Sequence, residues 1–189
     1  MHNTDLYVGS DPGSPVQVAD TSGNLFHGGT QFTFTAAEAN RALDVSSRII
    51  TLTEDTTLTE AAHEGKTLLL GEVGGNASLT VTLPAATGSG AVFHFVVSVV
   101  NTSNYVIQVA DATDTIDGTI MYLADGGNTV VGFEADGTDD TATFNGTTTG
   151  GAAIGDWVEL RDIASNQYAI SGQMTATGTE GTPFSAAVS

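Results

Sequence analysis

From Arg48 onward, the chain consists of short apolar runs in which Val, Ile, Leu and Phe alternate with threonine and other polar residues. An alternation with a period of two residues predicts β-strands that have one buried and one exposed face. Clusters rich in Gly, Asn and Asp separate the runs and predict turns. The predicted strands cover residues 48–52, 67–70, 78–83, 91–100, 105–109, 119–123, 129–133, 141–144, 156–163 and 167–172.

No long helical pattern separates these runs, which argues against a parallel sheet built from strand–helix–strand units. We therefore predict an all-β fold, with an antiparallel β-sandwich or barrel-like body of about ten strands. One short helix is expected after the strand Thr30–Phe34, because Thr35 and Glu38 form a capping box at the start of AAEANRAL.

Residues 1–30 differ from the rest, with Pro12, Pro15, several glycines and only short apolar patches. This composition predicts an extended N-terminal arm, in which Val16 and Val18 could form a short strand, and a disordered terminus is the alternative. The body is then expected to span residues 31–189. The first residues have neither the basic region nor the apolar segment of a signal peptide.

The run AVFHFVV is apolar on both of its faces. One face carries Phe93, Phe95 and Val97, and the other carries Val92, His94 and Val96. Such a strand is expected at the centre of a sheet, covered on each side by another sheet or by a neighbouring subunit.

A second informative run is DWVELRDI. Trp157, Glu159 and Arg161 alternate in it with the apolar Val158 and Leu160. This pattern predicts a half-exposed strand whose apolar face ends at Asp162.

The segment LPAATGSG, Leu83–Gly90, allows three interpretations. A cell-wall sorting signal requires one residue fewer between Pro84 and Thr87, and a phosphate-binding loop requires a lysine that is absent here. The apolar alternation before the segment and the apolar run after it favour the tip of a β-hairpin.

The chain has 22 acidic and four basic residues, and its formal net charge is −18. Binding to nucleic acid or to an anionic membrane needs clusters of Lys and Arg, so the charge argues against both kinds of partner. The excess of acidic residues is typical of a protein that works in salt or that depends on charge for its solubility. There is no cysteine, so stability must come from the core or from oligomerisation.

The sequence offers no recognisable catalytic or metal-binding motif. The four histidines are scattered, and the HExxH and GxSxG patterns are absent. Glycoside hydrolysis would need a carboxylate pair, and Trp157 is the only tryptophan that could serve as a sugar platform. The Asp-rich segments 111–118 and 136–140 lack the alternating ligands of calcium loops, so solvated turns are expected and only weak calcium binding stays open. We expect neither enzymatic activity nor a cofactor.

Two stretches resemble virion structural proteins of tailed bacteriophages. The first is ITLTEDTTLTEAAHEGKTLLLGEVGGNASLTVTLPAATGSGAVFHFVVSVV, and the second is GDWVELRDIASNQYAISGQMTATGTEGTPFS. Together they place the resemblance over roughly residues 49–184. Within this group, the chain is most similar to capsid decoration (cement) proteins, and segments of tail fibres and tail spikes are the alternative.

The resemblance implies a small structural protein on the capsid surface of the virion, with the major capsid protein as its partner. In the alternative, the chain is a tail-fibre or tail-spike module that binds a receptor or glycan. In the decoration role, the N-terminal arm would contact the capsid, and its apolar residues are the candidates for that contact. These residues are Leu6, Tyr7, Val8, Val16 and Val18.

The resemblance also implies a homotrimer, since decoration proteins commonly occupy threefold sites. The expected subunit interface is the outward face of AVFHFVV, with Val92, His94 and Val96. The competing hypothesis is a self-sufficient sandwich that buries both faces of this strand without a neighbour.

Overall fold

The computed structural model describes residues 26–27, 30–31, 38–39, 42, 48–73, 77–100, 102–124 and 129–188. The chain divides into two compact units, Met1–Asp44 and Val45–Ser189. In the first unit, β1 (Phe26–His27) and β2 (Thr30–Gln31) pair in antiparallel fashion. Residues 38, 39 and 42 are helical, in the segment that follows the predicted capping box.

The apolar residues of the predicted N-terminal arm lie outside the described residues. They are Leu6, Tyr7, Val8, Val16 and Val18.

The second unit, which we call the body, is built almost entirely from β-strands. Its strands are β3 (Ile49–Leu52), β4 (Thr56–Thr57), β5 (Thr67–Leu70), β6 (Leu79–Thr82), β7 (Val92–Val97), β8 (Tyr105–Gln108), β9 (Thr115–Leu123), β10 (Val130–Asp139), β11 (Thr141–Phe144), β12 (Trp157–Ala164), β13 (Gln167–Thr175) and β14 (Phe184–Ser185). They form a seven-stranded sheet in the order β10-β9-β13-β12-β7-β5-β3 and a five-stranded sheet in the order β14-β11-β8-β6-β4. The all-β prediction is confirmed.

The prediction of antiparallel sheets is wrong, because both sheets are mixed. β3, β5 and β7 are parallel neighbours in one sheet, and β4, β6 and β8 are parallel neighbours in the other. Parallel neighbours need a long crossover connection, which is usually a helix. Here the crossover is a strand of the opposite sheet, because consecutive strands from β3 to β8 alternate between the two sheets. The missing helical pattern therefore did not exclude parallel pairing.

The same alternation shows that Leu83–Gly90 is not a hairpin tip. β6, which precedes this segment, belongs to the five-stranded sheet, and β7, which follows it, belongs to the seven-stranded sheet. The segment is a crossover loop between the sheets.

The prediction of one short helix is also incomplete. Besides the helical residues near Glu38, the body contains a one-turn helix, Glu60–His63. Thr59 caps this helix, and its side-chain oxygen accepts a hydrogen bond from the Ala62 amide at 3.3 Å.

The central position predicted for AVFHFVV is confirmed. β7 lies between β12 and β5, and Phe93, Phe95 and Val97 are fully buried. They belong to one apolar core that also takes in buried residues of the five-stranded sheet, such as Val81 and Ile107. The outward side chains of β7 are only half-buried.

Three buried tyrosines tie loops to this core. Their hydroxyls donate hydrogen bonds to backbone carbonyls 2.9 Å away, Tyr105 to Val99, Tyr122 to Thr149, and Tyr168 to Pro84. Burial, together with the negative charge of Glu72, raises the pKa of Tyr105 to about 12. Each tyrosine therefore buries its ring in the core while its hydroxyl provides a hydrogen bond to a backbone carbonyl of a loop.

Candidate functional site

The side chains of the seven-stranded sheet that point away from the core form a surface that we call the outer face. On its central strands, Leu69 of β5 lies beside Val96 of β7, which lies beside Trp157 of β12. All three side chains are half-buried although they point away from the core. The same row continues with Gln173 and with Met121, which is exposed. An apolar row therefore covers the central strands β5, β7 and β12 of the outer face, and Gln173 separates it from Met121.

A polar group adjoins this apolar row. His94 lies directly across from Glu159, with 3.9 Å between His94 Nδ1 and Glu159 Oε2. The His94 ring also stacks on Trp157, with 5.6 Å between the ring centroids and an interplanar angle of 35°. Arg161 Nη2 donates a hydrogen bond to Glu159 Oε1 at 3.2 Å. Solvent-exposed pairs of this kind contribute at most about 1 kcal/mol to stability.

The three residues predicted at a subunit interface come together on this outer face. Val92, His94 and Val96 all project from the side of β7 opposite the core, and each is half-buried. Trp157, Glu159 and Arg161 of β12 project from the same face. The predicted half-exposed strand is confirmed, since Val158 and Leu160 are fully buried.

Sequence reasoning missed that Asp162, where the apolar face of β12 ends, points inward and is buried. Its carboxylate accepts hydrogen bonds from the amides of Thr87, Gly88 and Ser89 at 3.0, 2.7 and 3.0 Å. The hydroxyls of Thr87 and Ser89 donate to the same carboxylate at 3.3 and 2.9 Å. The alternation along β12 could have indicated this role, because it places the charged Asp162 on the same face as the buried Val158 and Leu160.

The carboxylate of Asp162 occupies the position in the loop Leu83–Gly90 where an anion could otherwise bind. Consecutive backbone amides that converge on one point form a nest, an arrangement that binds anions. Here the chain's own carboxylate fills the nest. Burial pushes the pKa of Asp162 upward, but the amides of Thr87, Ser89 and Gly88 outweigh that effect and hold the pKa below its usual value.

Three other buried aspartates have comparable structural partners. The carboxylate of Asp114 accepts the Ala86 amide, that of Asp140 accepts the Ala187 and Val188 amides, and that of Asp156 accepts the Ala153 and Thr175 amides. Burial raises the pKa values of Asp114 and Asp156. Each of these carboxylates fastens a loop or the C-terminal segment to the body.

The expectation that the Asp-rich segments 111–118 and 136–140 are solvated turns is wrong in part, since β9 begins at Thr115, β10 extends to Asp139, and Asp114 and Asp140 are buried. The exposed aspartates of these segments accept hydrogen bonds from nearby backbone amides. Asp111 Oδ1 accepts the Thr113 amide at 2.8 Å, and Asp136 Oδ1 accepts the Thr138 amide at 3.1 Å. In the part of the chain that the structure describes, no group of three or more His, Asp or Glu side chains could hold a metal ion. Among the same residues, no helix has the length and apolarity needed to cross a membrane.

No protein-family model matches this chain, and comparisons with curated proteins and with solved structures found no match.

Proposed function

We propose that this chain is a structural virion protein that decorates and stabilises the capsid of a tailed bacteriophage. The resemblance to virion structural proteins expected from two long stretches of the sequence supports this function. The observation that carries it in the structure is the apolar row Leu69–Val96–Trp157 on the outer face. An apolar row on the solvent side of a sheet marks a contact surface.

In this proposal the body is a sandwich of two sheets, and the outer face is covered by a neighbouring subunit. Val92, His94 and Val96 form the contact in a homotrimer, and the major capsid protein is the further partner. The chain has no catalytic role. The buried carboxylates of Asp114, Asp140, Asp156 and Asp162 have a structural role in this proposal, since each accepts a hydrogen bond from a backbone amide.

Val96→Asp is expected to dissociate the trimer and leave the body folded. The substitution would place an unpaired carboxylate in the contact, which costs several kcal/mol and raises the dissociation constant by about 100-fold or more. Light scattering measures the assembly, and far-UV circular dichroism measures the fold, because Trp157 lies beside Val96 in the contact and its fluorescence would respond to dissociation as well.

The matched control is Val106→Asp, because Val106 is also half-buried, in the middle of the five-stranded sheet. This variant is expected to keep its subunits together. If Val96→Asp instead unfolds a chain that was monomeric from the start, the body buries this face by itself and the trimer hypothesis fails.

The capsid function itself is tested by adding labelled protein to particles that lack it. Saturable binding to heads, imaged by cryo-electron microscopy, is the expected result. Density on the tail, or no binding to heads, would contradict the proposal.

A second candidate, a glycan-binding tail module, is favoured by the surroundings of Trp157. Its half-exposed ring contacts the His94 ring, and Glu159 lies two residues further along the same strand on the same face. An apolar platform therefore adjoins hydrogen-bonding groups. Quenching of Trp157 fluorescence by host glycans, lost in His94→Ala, would support this candidate. A decoration protein is expected to show no such response.

A further inference from the structure

The edge strand β3 has one side that no described strand covers. Among the described residues, β3 pairs with β5 alone. The Thr67 amide donates to the Arg48 carbonyl at 2.8 Å, and the Gly71 amide donates to the Leu52 carbonyl at 2.9 Å. Backbone groups of successive residues in a strand point to opposite sides, so those of Ile49 and Thr51 point away from the sheet. Ile49 is also 64% exposed.

The other sheet edges carry features that block further pairing. β4 and β14 are only two residues long. β10 has a register shift between Asp136 and Asp139, and short strands, bulges and charges all protect an edge. The stretch Ile49–Leu52 contains no charge and no proline, and its pairing with β5 is regular.

The charges that flank β3 are self-complementary. Arg48 precedes the strand, and Glu54 and Asp55 follow it. If a second β3 lay antiparallel with Thr51 opposite Thr51, Arg48 of each copy would lie opposite Glu54 of the other. In a parallel pair, a residue that points toward its partner lies opposite one that points away, as Thr67 and Ile49 do in the pairing of β5 with β3. A parallel second β3 that used the same edge would therefore be shifted by an odd number of residues and would not bring Arg48 opposite Glu54. Opposite charges directly across from each other stabilise a pair of strands, so the pattern favours the antiparallel arrangement.

We propose that β3 is a docking edge for a second copy of this chain, paired antiparallel about a two-fold axis at Thr51. Ile49 then lies opposite Thr53, and these residues and Thr51 direct their backbone groups to the partner. Pairs of this kind exchange two backbone hydrogen bonds each. On the core side, Ile50 comes to lie opposite Leu52, which covers the half-buried Ile50 side chain. The two seven-stranded sheets become one continuous sheet.

This contact is separate from the proposed trimer and from capsid binding. It uses the edge of the sheet, whereas the trimer uses the outward side chains of β7. A chain that fails to decorate capsids can still pair through β3, and the reverse also holds.

The test uses the absence of cysteine in the chain. In the full-length protein, Thr51→Cys places two thiols across the two-fold axis. The Cα atoms of such a hydrogen-bonded pair are about 5.5 Å apart, which a disulfide can span. Oxidation is expected to link two copies. The matched control is Thr53→Cys, which is also exposed but lies opposite Ile49, so it should link at least about tenfold less.

Charge substitutions then establish the register. Arg48→Glu in the Thr51→Cys background replaces both Arg48–Glu54 ion pairs with pairs of like charge and is expected to reduce linking about tenfold. Adding Glu54→Arg exchanges the charges and should restore linking. The proposal is overturned if Thr51→Cys links no better than Thr53→Cys. It is also overturned if the charge substitutions have no effect.

Discussion

Gly118→Ala is expected to lower the free energy of unfolding of the body by more than about 4 kcal/mol, the range reserved for severe steric defects. Gly118 lies inside β9 with a φ of +134°, a conformation that residues with a side chain rarely adopt. A Cβ atom at this position would lie 2.0 Å from the Ile170 carbonyl oxygen. The obstacle is backbone of the neighbouring β13, so relief requires these two strands to separate.

Urea unfolding followed by Trp157 fluorescence measures this effect, since the only tryptophan lies in the body. Gly65→Ala is the matched control. Gly65 also has a positive φ, +67°, but a Cβ atom there would meet nothing within 4 Å. Its cost should be only about 1 kcal/mol, the ordinary penalty for this backbone region. Equal losses in the two variants would show that β9 and β13 do not pack this closely.

Gly118 also shows where sequence patterns mislead. The segment DATDTIDG reads as a turn because it is rich in Asp and ends in Gly, yet β9 begins at Thr115. A glycine inside a strand can mark a close backbone approach instead of a turn. Local composition cannot distinguish the two cases, because the difference depends on where β13 lies.

The strands that alternate clearly were predicted well, and their order in the sheets was not. Alternation identified β5, β6 and β8 almost to the residue, because each buries one face, and it also located β11, in which Thr141 is buried as well. Pairing direction depends on the path of the chain between strands, and side-chain periodicity does not encode that path. The two-residue strands β4 and β14 are too short to show any period.

The outer face was predictable in part. The apolar outward positions of β7 pointed to Val92, His94 and Val96, but the neighbours Leu69 and Trp157 emerged only from the strand register. Their adjacency is a tertiary property, since the residues are far apart in the sequence. The role of Asp162 was missed for a similar reason, because its partners lie in a loop more than 70 residues earlier.

Asp162→Ala is expected to destabilise the body by about 3 kcal/mol at neutral pH. Hydrogen bonds to a charged acceptor contribute about 1.5–3 kcal/mol each, and water can replace part of what is lost in this exposed loop. The amides of Thr87, Gly88 and Ser89 lose their acceptor together. Hydrogen exchange of these amides should accelerate before the sheets open, because the loop is released first.

Asp111→Ala is the control for this substitution. Asp111 also accepts a backbone amide, but within its own exposed turn, so its loss should leave the unfolding midpoint nearly unchanged. If Asp162→Ala behaves like Asp111→Ala, the carboxylate does not hold the loop.

The pH dependence gives the Asp162 contact a distinct signature. The pKa of Asp162 is lowered in the folded body, so its contribution is complete above the unfolded value of about 3.9 and is lost as the pH falls through the folded value. The destabilisation caused by Asp162→Ala should therefore shrink in acid.

Burial raises the pKa of Asp156, against the effect of hydrogen bonds from Thr175 and Ala153. The contribution of Asp156 is therefore complete below pH 3.9 and falls as the pH rises through its folded pKa. Unfolding of the two alanine variants across this range should show opposite slopes relative to the parent chain, and slopes of the same sign would contradict the assignment of the two environments.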